Sequence, residues 1–450
     1  MNATNTPTAS TTAGPVNRPG EPGVILCLRT ADGPLIHTHT GSASLELAAP
    51  IGENTAFNVG SVAKQITAYL CIRTARDGLL ALDRPVGDIL PRFRIPDVTV
   101  SDLIQHRSGI RDAETLLSLA GFRDLDHYTA DDLLQLAYRQ QHRAVTPGRF
   151  LYSNTGYLLL AEVLAQVHGA GLQQVAEQQV FAPLGMTARF KTDLRDVIPG
   201  AAAGYQSAGG GWQHEQRPVT LPGPGSLWST AADLDRWLGH LWDQWSESAD
   251  DGLPYERYVG YRPSDHLPFT YGPGLYADTR PGHVAVFHCG HEQGFSAAAH
   301  LSRAGLRIIC LSNHAGIAAD HVAAVALAEL ARAPEADLTK LLHLTLRRQP
   351  GPPPTVSDRS GADTPHTPLG TYACDEVPGA LRLTRSESSL YLWRSGTRDR
   401  LTRTGAATYA ANGYTLTVPT APAGDSAPTP DSFILDLDRA PGLRYRRRPD

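Results

Sequence analysis

Strand-type runs sit near the two ends of residues 24–311 and helix-type runs fill the middle, which leaves few ways to build a sheet. Residues 24–30 and 35–40 are strand-like and flank Ala31-Asp32-Gly33-Pro34, where Asp-Gly predicts a hairpin turn. Residues 283–288, 295–301 and 306–311 have the same character. Between them, helices are predicted over 61–76, 100–105, 130–139, 155–168, 172–181 and 231–242, and an Ala-rich helix over 318–333 follows. The expected fold is α/β (α+β), with the N-terminal hairpin and the late strands in one antiparallel sheet and the middle helices as a separate lobe.

The text changes after residue 346. Gly351-Pro352-Pro353-Pro354 and the Ser, Asp, Gly, Thr and Pro residues that follow predict a linker over 346–368. From 369 to 450 short strand-like runs (372–374, 380–384, 390–393, 414–418, 433–437 and 443–446) are separated by turn residues, as in a small all-β barrel or sandwich. Residues 1–22 are expected to be a disordered tail, and 23–345 the main domain.

A chain of 450 residues can hold several cores, and 41% apolar with 19% charged residues describes a globular protein. A net charge of −5 gives no reason to expect nucleic acid as a partner. No run of eighteen apolar residues predicts a membrane span, and the first twenty residues do not read as a secretory signal. Five scattered cysteines without metal-ligand spacing suit a reducing compartment, so a cytoplasmic location is expected.

Ser61-Val62-Ala63-Lys64 opens an apolar helical run. Residues three apart share a helix face, so the Ser61 hydroxyl and the Lys64 amine can meet. A lysine held inside a site loses part of its proton affinity and can then deprotonate a serine. The chain has three lysines, Lys64, Lys191 and Lys340, against thirty-seven arginines, and one of them stands where this chemistry needs it. For a bare S-x-x-K, a serine N-cap on an exposed helix start is the favoured explanation.

Two further segments shift that balance. In Tyr152-Ser153-Asn154, Tyr152 and Asn154 are expected at a loop leading into a helix. A phenol beside an ammonium can serve as general base or acid, and an asparagine amide can orient Lys64 or a substrate carbonyl. In His288-Cys289-Gly290-His291, expected at the end of a strand, Gly290 lets a ligand lie close. The backbone amides of Ser61 and His291 are candidate oxyanion donors, and His288 is expected to line the site as a donor to substrate or to Tyr152. Metal binding by His288, Cys289 and His291 is disfavoured because no other ligand cluster lies nearby, so neither metal nor cofactor is expected.

These three elements in this order resemble the serine β-lactamase and penicillin-binding protein superfamily. Leu103-Ile104-Gln105-His106-Arg107-Ser108-Gly109-Ile110 and Pro183-Leu184-Gly185-Met186 are similar to further segments of it, and Gly223-Pro224-Gly225-Ser226-Leu227-Trp228-Ser229-Thr230-Ala231-Ala232-Asp233-Leu234 resembles its serine-threonine-alanine-x-aspartate stretch after an active-site loop. Histidine at the first position of the third motif resembles the branch of class C-like lactamases, esterases and D-aminopeptidases. Leu369-Gly370-Thr371-Tyr372 and Gly442-Leu443-Arg444-Tyr445-Arg446 resemble the ends of the lipocalin-like barrel appended to D-aminopeptidase-type hydrolases. The two-part plan is similar to stand-alone penicillin-binding-protein-type thioesterases of actinobacterial peptide assembly lines.

The resemblance implies an acyl-serine enzyme that takes a peptidyl thioester, free or bound to a carrier protein, and closes a ring with the peptide's own amine. It implies a D-residue at the acylating end. A D-stereospecific aminopeptidase or esterase is the alternative, and a non-enzymatic binding protein the third. Trp228 is a candidate pocket wall, and Arg444 and Arg446 are candidates for holding a substrate carboxylate. A buried structural tryptophan and a solvated basic terminus explain these three residues as readily.

Overall fold

The N-terminal hairpin closes where Asp-Gly requires it. Strands Val24–Arg29 and Ile36–Thr40 pair antiparallel, and the Gly33 N–H donates to the Thr30 carbonyl at 3.3 Å. The structure, a computed structural model, describes residues 20–449 apart from 123–125, 216–219, 248–251, 282, 334–336, 348–367, 387–388, 395–396, 412 and 420–429. The expected tail at 1–22 and linker at 346–368 lie largely outside the described residues. The chain divides into two units, residues 1–84 with 160–351 and residues 85–159 with 352–450.

The first unit is built on an eight-stranded antiparallel sheet. Its order is Arg262–Pro263, Thr270–Tyr271, Tyr276–Arg280, His283–Glu292, Phe295–Ser302, Arg307–Ser312, Val24–Arg29 and Ile36–Thr40. The ends of the sequence do meet in it: Val24 lies opposite Ser312 and Arg29 opposite Arg307. Val24, Leu26, Leu28, Ala298, Ile308 and Cys310 pack on Val322, Ala323, Ala326, Leu341 and Leu342 of the helices Ala319–Arg332 and Leu338–Arg347. The alternate residues Ile25, Cys27, Ile309 and Leu311 are buried too. Ile25 and Cys27 face Ala231 and Asp235 of the helix Ala231–Ser246. With both faces covered, the central strands are apolar throughout, and each buried Val, Leu or Ile contributes about 1.5–3 kcal/mol.

That helix begins where its cap dictates. Thr230 Oγ1 accepts from the Asp233 N–H at 3.1 Å, and the Asp233 carboxylate accepts from the Thr187 N–H at 3.0 Å and its hydroxyl at 2.7 Å. The Ser-Thr-Ala-Ala-Asp segment is therefore a helix start tied to a neighbouring loop.

The second unit joins helices Val100–Ile104, Ala113–Leu119 and Ala130–Arg139 to a closed eight-stranded antiparallel barrel running from Gly370–Cys374 to Ala440–Arg447. Thr99 with Asp102 and Thr129 with Asp132 form reciprocal capping boxes. Tyr372, Leu383, Leu392, Phe433, Leu435 and Tyr445 are buried in the barrel. Two barrel strands lie beyond the six expected, Thr397–Arg403 and Thr408–Ala411. The first reads as a polar loop because only Leu401 of its seven residues is fully buried. The barrel is clasped by Arg111, whose Nε donates to the Pro441 carbonyl and whose Nη1 pairs with Glu376, both at 2.8 Å.

Candidate active site

Ser61 sits in a single 3₁₀ turn, Gly60–Val62, that runs into the helix Ala63–Arg76. No side chain caps that helix, so the Ser61 hydroxyl is not consumed as an N-cap. Gly60 adopts φ +50°, and a Cβ there would lie 3.1 Å from the His291 backbone. Gly290 is tighter still: a Cβ would fall 2.0 Å from the Val59 carbonyl oxygen and 2.9 Å from the Ser61 nitrogen. Only glycine permits this approach, which brings the backbones of Ser61 and His291 together as two donors to one oxyanion require.

Lys64 is fully buried. Its Nζ lies 2.8 Å from Ser61 Oγ and 2.9 Å from the Pro224 carbonyl oxygen. The Pro224 loop is itself held. The Thr67 hydroxyl donates to the Gly223 carbonyl at 2.9 Å, and Ser226, at φ +55°, accepts the Leu221 N–H at 2.6 Å. As an ammonium, Lys64 donates to Ser61. As a free amine it keeps its bond to Pro224 and turns its lone pair to the serine proton.

The expected strand at 283–288 extends to Glu292, so the His288-Cys289-Gly290-His291 motif lies within its closing residues. His288 is 2% exposed, with Nδ1 2.7 Å from the Cys289 carbonyl oxygen and Nε2 3.1 Å from the Tyr271 hydroxyl. Burial, reinforced by the charge of Lys64, pushes its pKa down to about 3. The Cys289 carbonyl and the Tyr271 hydroxyl thus stand at its two ring nitrogens, where a donor to substrate or to Tyr152 is expected from the sequence. Trp228, in the strand Leu227–Ser229, is half-buried and meets Phe295 edge-on, ring centres 5.4 Å apart.

In the second unit, Tyr152 is half-buried, and its ring lies 4.1 Å from that of His106. His106, at φ +56°, accepts the Leu151 N–H on its carbonyl at 2.8 Å and the Ser153 N–H on Nδ1 at 3.2 Å, so it supports the Tyr152 loop from both sides. Asn154 opens the helix Asn154–His168, its N–H donating to Asp112 Oδ2 and its amide nitrogen to Glu114 Oε2, both at 2.7 Å. The guanidinium carbon of Arg439 lies 4.8 Å from the centre of the Tyr152 ring, and the Arg439 carbonyl accepts the Asp112 N–H at 2.9 Å. Arg444 and Arg446 are exposed on the barrel strand, while Tyr445 between them is buried.

The structure thus unites Ser61, Lys64, Gly290 and the His291 backbone, and gives Tyr152 and Asn154 a shared support through Asp112, Glu114 and His106. Five contributors escape sequence reasoning: the Pro224 carbonyl, Tyr271, Asp112, Glu114 and Arg439. Pro224 lies within the Gly-Pro-Gly-Ser stretch that precedes the Ser-Thr-Ala-Ala-Asp segment, and Tyr271 directly precedes Gly272-Pro273-Gly274. Nothing local sets Arg439 apart from the thirty-six other arginines.

The description of the Beta-lactamase family matches residues 9–333. The chain is 26% identical over 313 residues to a D-aminopeptidase of Cereibacter sphaeroides (strain ATCC 17029 / ATH 2.4.9), covering 68% of this chain and 59% of that protein. It is 29% identical over 267 residues to the putative penicillin-binding protein PbpX of Bacillus subtilis (strain 168), covering 57% of this chain and 61% of that protein. The alignments therefore span about three fifths of these relatives' lengths. Among solved structures, SurE is similar with a TM-score of 0.56 and 25% identity across 95% of both chains. The octameric penicillin-binding protein homologue from Pyrococcus abyssi shares the fold, with a TM-score of 0.61 at 20% identity over 94% of this chain and 95% of that one. The chain belongs to the β-lactamase family, serine acyl-transfer enzymes that include D-aminopeptidase and penicillin-binding-protein relatives.

Proposed function

We propose that this protein releases a nonribosomal peptide from its thioester and closes it head to tail through an acyl-enzyme on Ser61. The observation that carries the acyl-transfer chemistry is the 2.8 Å contact between Lys64 Nζ and Ser61 Oγ in a helix start pressed against the His291 backbone. The finer choice of a cyclase is supported by the likeness to SurE over 95% of both chains, barrel included, and by the SurE structure with D-Leu, which matches at 24% identity and a TM-score of 0.55.

In this mechanism Lys64 takes the Ser61 proton and Ser61 attacks the thioester carbonyl. The oxyanion is held by the Ser61 and His291 amides. Tyr152 protonates the departing thiolate and then takes the proton from the substrate's amine, which attacks the acyl-serine; as the ester bond breaks, Lys64 returns its proton to the Ser61 oxygen. Folding the chain's end back over the site lowers the entropic barrier to ring closure, and exclusion of water suppresses the linear acid. The substrate is a peptidyl thioester, free or carrier-bound, with a D-residue at the acylating end.

A second reading is D-stereospecific aminopeptidase or esterase activity, favoured by the D-aminopeptidase relative at 26% identity. Incubation with a linear peptidyl N-acetylcysteamine thioester ending in a D-residue separates the two. Cyclic product by mass spectrometry is expected; linear acid as the sole product, with release of D-amino acids from D-amino acid amides, assigns the second reading instead.

A further inference from the structure

His288 is the first residue past the end of a ladder. The strand His283–Glu292 pairs with Tyr276–Arg280 only as far as Phe287 opposite Tyr276, while on its other side pairing with Phe295–Ser302 continues to Glu292. Beyond Phe287 the segment runs on beside Ser61, with Gly290 against Val59 and Ser61, and His291 supplies the candidate oxyanion amide. Where that ladder has stopped, the imidazole of His288 reaches the hydroxyl of Tyr271 in the strand beyond Tyr276–Arg280.

The two ring nitrogens of His288 have distinguishable partners. Nδ1 faces the Cys289 carbonyl oxygen at 2.7 Å, an atom that only accepts, so Nδ1 carries a proton. The ring is buried and its pKa is held far below neutrality, so Nε2 carries none. The Tyr271 hydroxyl, 3.1 Å from Nε2, is therefore the donor. Tyr271 is 1% exposed, lies opposite Tyr276 in the next strand pair, and packs edge-on against the Tyr276 ring at 4.7 Å. Its phenol is fixed by the same strand that stops pairing at Phe287.

We propose that Tyr271 is a positioning residue: by donating to Nε2 it holds His288 as the Nδ1–H tautomer and pins the His288–His291 segment beside Ser61 where the backbone ladder has ended. This deepens the acyl-transfer reading of the same site and rests on Ser61 as its nucleophile. The bond takes over the work of the missing ladder at the point where a shift would move the His291 amide away from the oxyanion.

Two measurements on the full chain test it. The first is nitrogen-15 NMR of histidine-labelled protein near neutral pH, with the His288 signal identified by its loss in His288→Gln. A pyrrole-type Nδ1 and a pyridine-type Nε2 are expected, and an Nε2–H or doubly protonated ring overturns the proposal. The second is the rate of Ser61 acylation by p-nitrophenyl acetate in Tyr271→Phe, which removes one oxygen atom. A fall of about tenfold is expected, together with a disturbed His288 tautomer signal, as for loss of one buried hydrogen bond. A folded Tyr271→Phe protein with an unchanged acylation rate overturns the proposal. Should this variant fail to fold, the wild-type spectrum alone decides. Failure of the wild-type protein to acylate would remove the acyl-transfer reading, whereas the tautomer still reports on the Tyr271–His288 bond.

Discussion

Arg439 stands over Tyr152, its guanidinium carbon 4.8 Å from the ring centre. Arg439 is an exposed residue of the turn between the barrel strands Ser432–Leu437 and Ala440–Arg447, and its own carbonyl is tied to the Asp112 N–H. The barrel thus supplies part of the setting of Tyr152, the residue proposed for acid–base work. A cation on an aromatic face contributes about 0.5–1 kcal/mol at an exposed site. Arg439→Met keeps the side chain's reach and removes its charge. We expect turnover of a D-residue ester to fall about two- to fivefold with the melting temperature nearly unchanged. Unaltered kinetics would show that the contact has no part in catalysis.

Lys64→Met preserves the buried volume but leaves Ser61 without a proton acceptor. Acylation by a fluorophosphonate probe should slow by about 10²–10⁴, the usual contribution of a positioned base. Ser61→Ala should abolish labelling altogether. Near-normal labelling of Lys64→Met would assign the base elsewhere.

Gly290→Ala places a methyl group 2.0 Å from the Val59 carbonyl oxygen unless the backbone moves. The strand must retreat from Ser61, so we expect activity to fall more than about a hundredfold and stability by about 1–3 kcal/mol, as in other overpacked sites. Denaturant titration beside acylation kinetics checks both. An active, stable Ala variant would mean that the approach is looser than these contacts require.

Arg111 is 7% exposed and Glu376 19% exposed at the side chain, and they pair at 2.8 Å while Arg111 also holds the Pro441 carbonyl. Arg111→Met strands a half-buried carboxylate and frees one end of the barrel clasp. A loss of about 3 kcal/mol in urea unfolding is expected, partly recovered when Glu376→Gln is added. A loss below about 0.5 kcal/mol would place this pair among ordinary surface ion pairs.

His288 links stability to pH. Its folded pKa is lowered from 6.5 to about 3, so below 6.5 the unfolded chain takes up a proton that the native ring refuses. Stability from this group is complete above pH 6.5 and is lost as pH falls toward 3. The loss is about 3 kcal/mol by roughly pH 4. Unfolding curves across this window should be steeper in pH for the wild type than for His288→Gln. Parallel curves would show that the native ring protonates freely.

The main sheet was legible because its central strands are apolar on both faces and its hairpin carries Asp-Gly; antiparallel closure between residues 24–29 and 307–312 followed from strand order. The short strands Arg262–Pro263 and Thr270–Tyr271 and the helix Ala113–Leu119 were not, since runs this short carry too little periodicity. Leu338–Arg347 was missed beside a proline-rich segment although its Leu338, Leu341 and Leu342 all reach the core.

The amino-acid sequence by itself determined the chemical vocabulary: a serine three residues before a lysine, a Tyr-x-Asn loop, and glycine where the backbone passes the nucleophile. Spacing was enough to place Ser61 on Lys64, because residues three apart meet across the 3₁₀ turn that leads into the helix just as they do within one. Only the tertiary structure decided that Lys64 has a carbonyl from Pro224, that His288 turns to Tyr271, and that Arg439 rather than Arg444 or Arg446 meets Tyr152. Those contacts join residues 160, 17 and 287 positions apart. Burial and chain folding bring such residues together, and no local pattern of residue types records them.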